Sequence, residues 1–177
     1  MTSAPSHVTP LRLVQPVAVD LSRALSLFGD QATSWLGTPV ESARAGSHRY
    51  LTDLSLPIRA HAPSLVFSKA AYVDLGEMRQ TLHGCDIEIG WQSSSLAPLF
   101  PVFAGHLTLT STEVRLEGFY APPGGEIGAA LDKAFLGIAA RGTARWFLKR
   151  TTDVLAATNA AAGPADKASR APEAAGT

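Results

Sequence analysis

The stretch at residues 116–150, "LEGFYAPPGGEIGAALDKAFLGIAARGTARWFLKR", joins a strand pattern to a helix pattern. The strand ends at two prolines and two glycines, which interrupt regular structure. Beyond Pro123, apolar and small residues repeat with a period of 3.6, which predicts a helix. These residues are Ile127, Leu131, Phe135, Ile138 and Gly142. A helix that continues to about residue 156 would span roughly 45 Å at ~1.5 Å per residue, enough to cross a whole sheet.

The middle of this helix is poor in bulky side chains. Its small residues are Ala134, Ala139, Ala140, Gly142 and Thr143. Its large residues stand towards the two ends: Leu131 and Phe135 on one side, and Trp146, Phe147 and Leu148 on the other. A helix of this kind leaves volume beside its middle, which favours a pocket there. The alternative is that Trp91, Phe100 and Phe103 from the strands fill that volume.

The segment before the helix, residues 48–120, alternates between apolar and polar residues with a period of two. The strands predicted after the first one lie near 65–75, 78–83, 85–92, 101–110 and 113–120. In the strand at 85–92, we expect Ile87, Ile89 and Trp91 to face the long helix, since they alternate with polar neighbours. An antiparallel meander followed by one long helix indicates an α+β fold rather than a parallel βαβ fold.

The N-terminal part adds a strand and two short helices. Residues 11–20 alternate, and Gln15 falls on the face that otherwise carries leucine and valine. Asp20 is predicted to cap a helix that ends at Gly29. Asp30 is predicted to cap a second helix that ends at Gly37.

Composition limits the classes of partner. The chain has 177 residues, of which 46% are hydrophobic and 17% charged, and its formal net charge is zero. Binding of nucleic acid needs a basic excess or a basic patch, and the basic residues of the last helix read instead as a solvated face. We therefore expect no nucleic-acid partner.

One domain is expected over residues 10–158, with a flexible leader at 1–9 and a disordered tail at 159–177. The tail holds no large apolar residue, so it cannot offset the entropy of its own ordering. No signal-peptide pattern and no run of 18 apolar residues is visible. Cys85 is the only cysteine, so no intrachain disulfide can form. We expect a cytoplasmic protein without stable membrane insertion.

Few residues suggest catalysis. Lys69 stands in the inward phase of its strand, where a lysine must pair, lose its proton or turn outward through a bulge. Tyr50 and Tyr120 are the other candidates for proton transfer. Asp86 and Glu88 alternate with apolar residues, so we place them on the solvated face, in cross-strand pairs with arginines such as Arg79 or Arg115. No catalytic residue is assigned.

Metal and cofactor motifs are missing from the sequence. The five histidines are not spaced as a metal site, no Cys/His cluster exists, and His106 lies in the polar phase of its strand. The "GGEIG" segment near the start of the helix follows two prolines and lacks a lysine, which makes it a poor phosphate loop. We expect no metal and no cofactor.

The order of elements resembles the helix-grip fold of the START-like (SRPBCC) superfamily, which includes polyketide cyclases and lipid-transfer domains. The C-terminal half, from "LFPVFAGHLTL" through "LEGFYAPPGGEIGAALDKAFLGIAARGTARWFL", looks like that of a group of actinobacterial START-like proteins. In that group a G-x-Y-x-P-P-x-G-x-x-G-x-x-L-D pattern precedes the closing helix. Here it is matched by Gly118, Tyr120, Pro122, Pro123, Gly125, Gly128, Leu131 and Asp132.

The resemblance implies a curved sheet that wraps around the long helix and holds an apolar ligand between them. The function expected first is therefore binding of a lipid, a polyketide or an aromatic metabolite. One alternative is a cyclase or dehydratase, for which the only catalytic candidates are Lys69, Tyr50 and Tyr120. The other is a protein-interaction module whose cavity is filled by its own side chains. The residues expected to line the ligand are Gln15, Phe67, Lys69, Trp91, Phe100, Phe103, Tyr120, Phe135, Ala139, Gly142, Thr143 and Trp146.

Overall fold

The structure is a computed structural model, and it describes residues 8–42, 44–58, 65–94, 102–121 and 133–161. The described part contains seven strands and three helices. In chain order they are β1 (Thr9–Pro16), α1 (Leu21–Phe28), α2 (Thr33–Leu36), β2 (Thr38–Val40), β3 (His48–Ile58), β4 (Leu65–Thr81), β5 (Gly84–Ser93), β6 (Val102–Thr110), β7 (Glu113–Ala121) and α3 (Lys133–Ala161). This order confirms the α+β class.

All seven strands belong to one antiparallel sheet with the order β1-β7-β6-β5-β4-β3-β2. Strands β3 to β7 form the predicted meander, and β1 returns to pair with β7. The edge strand β1 carries Pro10 and Pro16, which lack the N–H group that a further strand would need. The other edge, β2, was not predicted and has only three residues.

The segment between β1 and β2 follows the predicted helix caps only in part. The Oδ1 atom of Asp20 accepts hydrogen bonds from the backbone N–H groups of Ser22 and Arg23, so Asp20 caps α1 as expected. The prediction that Asp30 caps α2 was wrong. That helix is a single turn starting at Thr33, and no side chain caps it.

Strand β4 corrects a second prediction. Residues 65–75 and 78–83 were expected to form two strands, but a single strand runs from Leu65 to Thr81. Its pairing with β5 shifts between Leu75 and Met78. A bulge at this point bends the strand without ending it. In the sequence, the bulge interrupts the two-residue alternation, so one strand looks like two.

The two faces of the sheet have different chemistry. The inner face carries the buried apolar residues, and α3 packs against it, chiefly over β3 and also over β1 and β7. As predicted, Ile87, Ile89 and Trp91 lie on this face, at 1–2% exposure. The outer face carries the charged residues. Helix α3 extends to Ala161, three residues beyond the expected boundary of the domain, and Asn159 Nδ2 donates to the Ala18 carbonyl at 2.8 Å.

Among the helices of the described residues, none is long and apolar enough to cross a membrane.

Candidate functional site

A row of side chains crosses the inner face at one level of the sheet. The strand registers pair Tyr50 with Val73, Val73 with Trp91, Trp91 with Phe103, and Phe103 with Tyr120. We call these five residues the transverse row. Each of them is buried, with exposures from 0% to 8%. Because neighbouring strands lie about 4.8 Å apart, the row extends over roughly 19 Å from β3 to β7.

The centre of the transverse row is an aromatic stack. The rings of Trp91 and Phe103 are nearly parallel, with centroids 4.1 Å apart, and Phe147 of α3 lies 5.5 Å from Trp91. Stacked pairs at such distances contribute beyond their buried area. The helix therefore contacts the sheet directly at this point, as in the alternative in which strand aromatics fill the space.

Two glycines on neighbouring strands provide the seat for Phe103. Gly105 and Gly118 are directly paired across β6 and β7. A Cβ atom built on either glycine would lie 2.8 Å from Phe103 Cζ, so the ring occupies the space above both residues. Each Cβ would also collide with a carbonyl oxygen of the neighbouring strand, that of Glu117 or Ala104. The glycines thus allow Phe103 to lie down on the sheet and to support Trp91.

Tyr120, at one end of the transverse row, approaches α3 where the helix has no side chain. A Cβ atom on Gly137 would lie 3.2 Å from Tyr120 Oη. Glycine in a helix interior costs about 0.5–1 kcal/mol relative to alanine. At this position it gives the tyrosine hydroxyl room beneath the helix.

The transverse row carries polar atoms that lack partners. Trp91 Nε1 is buried without a hydrogen-bond partner. Within the described part of the chain, the hydroxyls of Tyr50 and Tyr120 also have no hydrogen bond, although these residues are only 6% and 8% exposed. More than 90% of buried polar groups in proteins are hydrogen-bonded. Trp91 Nε1 is such an exception, whereas neither tyrosine hydroxyl is a fully enclosed atom without a partner.

Burial shifts the pKa values of two groups on the inner face. Burial raises the pKa of Tyr50, so its hydroxyl stays protonated at neutral pH and acts as a hydrogen-bond donor. Burial, with a smaller effect of the Asp86 charge, also raises the pKa of Cys85, which disfavours the thiolate. Among the described residues no group of three His, Cys, Asp or Glu could hold a metal ion.

Three of the small residues of α3 are closely packed. Ala140, Thr143 and Ala144 are at most 3% exposed, so there is no space for a water molecule beside them. At these positions small size lets the helix approach the core closely. Gly142 and Trp146 lie on the flanks and are half-buried. Among the described helix residues, Gly137 combines a half-buried position with contact to the transverse row.

The other predicted lining residues are placed as follows. Gln15 is half-buried and pairs with Val114, on the inner face at the opposite end of β1 from Tyr120. The backbone register pairs Lys69 with Leu54. Phe100 lies outside the described residues, as do the side chains of Phe67, Lys69, Phe135 and Ala139. Of the predicted set, the structure thus brings together Trp91, Phe103 and Tyr120.

The outer face confirms the expected position of the acidic residues, and the register places Arg79 opposite Asp86 as expected, although the shortest ion pairs are others. Glu88 forms an ion pair with Arg44 at 2.7 Å. Arg79 pairs with Glu77, and Arg115 pairs with Glu113. These partners lie in the β2–β3 connection or two residues away on the same strand, so the cross-strand rule did not identify them.

A depression of about 240 Å³ lies on this outer face, above the side-chain-free Gly90. Its walls contain two ion pairs, Arg44 with Glu88 and Arg49 with Asp74, and the second is bidentate at 2.7 and 2.9 Å. Since these charges already satisfy one another, the depression presents no free charge for a ligand.

Four residues of the candidate site were not predicted to line it: Tyr50, Val73, Gly137 and Phe147. The two-residue period placed Tyr50 on the inner face. Its position in the same row as Trp91 could not be predicted, because the two residues are far apart in sequence. The row depends on the register of four strand pairs, and the bulge in β4 changes that register between its two halves.

Comparisons with known proteins support the fold only. A conserved protein from Geobacillus kaustophilus, known from its crystal structure, is similar with a TM-score of 0.51 and 16% sequence identity. The match covers 85% of this chain and 97% of that one. No protein-family model and no curated protein sequence matches the chain.

Proposed function

We propose that this protein binds a small hydrophobic or amphipathic molecule between the inner face of the sheet and α3. The observation that carries the proposal is the transverse row, in which Trp91 Nε1 is enclosed without an acceptor among the described residues, and to which Tyr50 and Tyr120, at 6% and 8% exposure, add two hydroxyls. An unpaired buried polar group costs about 1–3 kcal/mol. A bound molecule that supplies acceptors would remove this cost.

The architecture supports the proposal. An antiparallel sheet of seven strands with a long C-terminal helix on its inner face is consistent with a helix-grip-like fold. The START-like resemblance of the sequence associates that fold with apolar ligands. The contact of Tyr120 with Gly137 supports a ligand position towards the N-terminal half of α3, since the core is closely filled around Ala140, Thr143 and Ala144.

A second candidate function is a protein-interaction module with a filled cavity. The stack of Trp91, Phe103 and Phe147 favours it, because those rings already occupy the centre of the transverse row. On the described inner face, burial raises the pKa of Tyr50 and of Cys85, which keeps both groups protonated, so a cyclase or dehydratase has less support.

The test combines uptake with stability. Native mass spectrometry of the purified protein should show an added mass, and the neutral dye Nile red should bind with increased fluorescence. Gly137→Leu should abolish dye uptake with a melting temperature within a few degrees of wild type, since leucine adds bulk beside Tyr120 and gains helix propensity. Arg145→Leu places the same side chain at an exposed position of α3 and is the matched control.

Absence of both an added mass and dye uptake in the wild type would favour the interaction module. Uptake that survives in Gly137→Leu would place the ligand elsewhere.

A further inference from the structure

The donors of the transverse row restrict the chemistry of the ligand. Trp91 Nε1 can only donate a hydrogen bond, whereas a protonated tyrosine hydroxyl can both donate and accept one. Tyr50 stays protonated because burial opposes the charged phenolate. A hydrogen-bond acceptor is therefore the kind of ligand group that fits opposite all three residues.

The described inner face offers no positive charge to compensate an anion. The buried polar or charged residues are Thr143, Thr151 and Thr152, all without charge. Described arginines near the transverse row lie on the outer face, where Arg49 is held by Asp74 and Arg44 by Glu88. A carboxylate or sulfate next to the transverse row would lose its hydration without gaining a countercharge, which costs far more than burying a neutral oxygen.

We infer that the ligand presents an uncharged acceptor, such as a ketone, amide or ether oxygen, to Tyr50, Trp91 or Tyr120. This inference rests on the proposed function and specifies it. The two tyrosines are the nearer contacts, because Trp91 Nε1 is enclosed by its neighbours and has no free surface. A ligand that reaches Trp91 has to displace part of the stack.

Three rigid probes of nearly equal shape separate the possibilities. Fluorene has no acceptor, 9-fluorenone has one ketone oxygen, and 9-fluorenone-4-carboxylate adds an anion. Their affinities are measured by displacement of Nile red from the wild-type protein. We expect fluorenone to bind about three- to tenfold more tightly than fluorene, the range of one net hydrogen bond. Since fluorene is the more hydrophobic probe, apolar burial alone predicts the reverse order. The carboxylate should bind most weakly.

Variants then locate the donor. Tyr50→Phe, Tyr120→Phe and Trp91→Phe each remove one donor and keep a ring. At least one of them should reduce the preference for fluorenone over fluorene to less than twofold. Tyr72→Phe, on the outer face, is the matched control and should leave the preference unchanged. Melting temperatures verify that each variant is folded, and three separate positions protect the test against one unstable variant.

Two results would overturn the inference while leaving the proposed function intact. One is equal or tighter binding of fluorene with no effect of the variants. The other is tightest binding of the carboxylate, which would indicate a cation at the site, with Lys69 as the first candidate. If Nile red is not taken up and no probe binds, the proposed function fails and the inference fails with it.

Discussion

Two buried tryptophans contact the same helix residue and differ in one respect. Trp35 and Trp91 are 3% and 2% exposed, and their rings lie 6.1 and 5.5 Å from that of Phe147. The indole N–H of Trp35 donates to the Leu27 carbonyl at 3.1 Å, and its own carbonyl accepts two hydrogen bonds from Arg150. The indole N–H of Trp91 has no partner.

The comparison teaches that equal burial does not imply equal satisfaction of polar groups. Around Trp35, helices α1, α2 and α3 meet, and the polar groups of that residue are satisfied within the protein. The transverse row around Trp91 is equally buried, yet Trp91 Nε1 has no partner among the described residues. Stability favours pairing such a group or replacing it by an apolar one. The unpaired indole is therefore the observation on which the proposed site rests.

The largest effect on the transverse row is expected when the space that Phe103 occupies above Gly105 is filled. In Gly105→Ala, the new Cβ would collide with the Glu117 carbonyl and with the Phe103 ring. We expect a loss of about 3 kcal/mol in the free energy of unfolding, at the upper end of overpacking costs because backbone atoms must move. Urea denaturation followed by far-UV circular dichroism measures this loss.

Gly90→Ala is the control for Gly105→Ala. It adds the same methyl group one strand away, on the outer face, where the nearest atom is the Phe103 carbonyl oxygen at 3.1 Å. Its cost should stay below about 1 kcal/mol. Equal costs for the two alanines would show that Phe103 does not depend on its glycine seat.

A smaller effect separates the two tryptophans directly. Trp35→Phe removes a hydrogen bond and leaves the Leu27 carbonyl without this donor, whereas Trp91→Phe removes an unpaired N–H. Both lose similar volume. We expect Trp35→Phe to destabilise the protein by about 1–2 kcal/mol more than Trp91→Phe does, which is the value of a buried hydrogen bond to a partner left unpaired. Urea denaturation without added ligand measures both. Equal losses would mean that Trp91 Nε1 has an acceptor in solution.

The sequence was sufficient for the parts of the fold that depend on local pattern. The cap at Asp20, the stop at Gly29 and the inward phase of Ile87, Ile89 and Trp91 each follow from short-range spacing. Asp30 failed as a cap because the chain makes a turn through Ala32 before it becomes helical. Local propensity identifies residues that are suited to cap a helix. The residue at which the helix begins depends on backbone hydrogen bonding in the preceding turn.

The site was less predictable because it depends on pairing between strands. Trp91, Phe103 and Tyr120 were predicted individually from their size and phase, but nothing local states that they share a level of the sheet. Tyr50 joins that level only because β4 contains a bulge between Leu75 and Met78. The small middle of α3 predicts either a pocket or a volume filled by strand aromatics, and residue volume alone does not decide between them, because it does not reveal how closely the helix approaches its sheet.

The smallest expected effect lies at the far end of the transverse row, in Tyr50→Phe. At pH 8 this variant should differ from wild type by less than about 0.5 kcal/mol and should not be less stable. The hydroxyl it removes has no hydrogen bond in the described part of the chain, and the ring is retained. A loss of 1 kcal/mol or more would show that the hydroxyl is bonded in solution and would weaken the contrast with Trp35.

Alkaline pH makes the same variant more informative. Burial raises the pKa of Tyr50 above its ordinary value of 10.0, so the folded protein holds this proton more tightly than the unfolded chain does. The resulting stability is fully present below about pH 10 and is lost as pH rises through the folded pKa. Phenylalanine has no such proton. Measured by urea denaturation between pH 8 and 11, the stability of Tyr50→Phe relative to wild type should therefore rise above pH 10. Every other titrating group is common to both proteins. A difference that stays constant with pH would therefore mean that Tyr50 is as well solvated in the folded state as in the unfolded one, and its hydroxyl would then be removed from the proposed site.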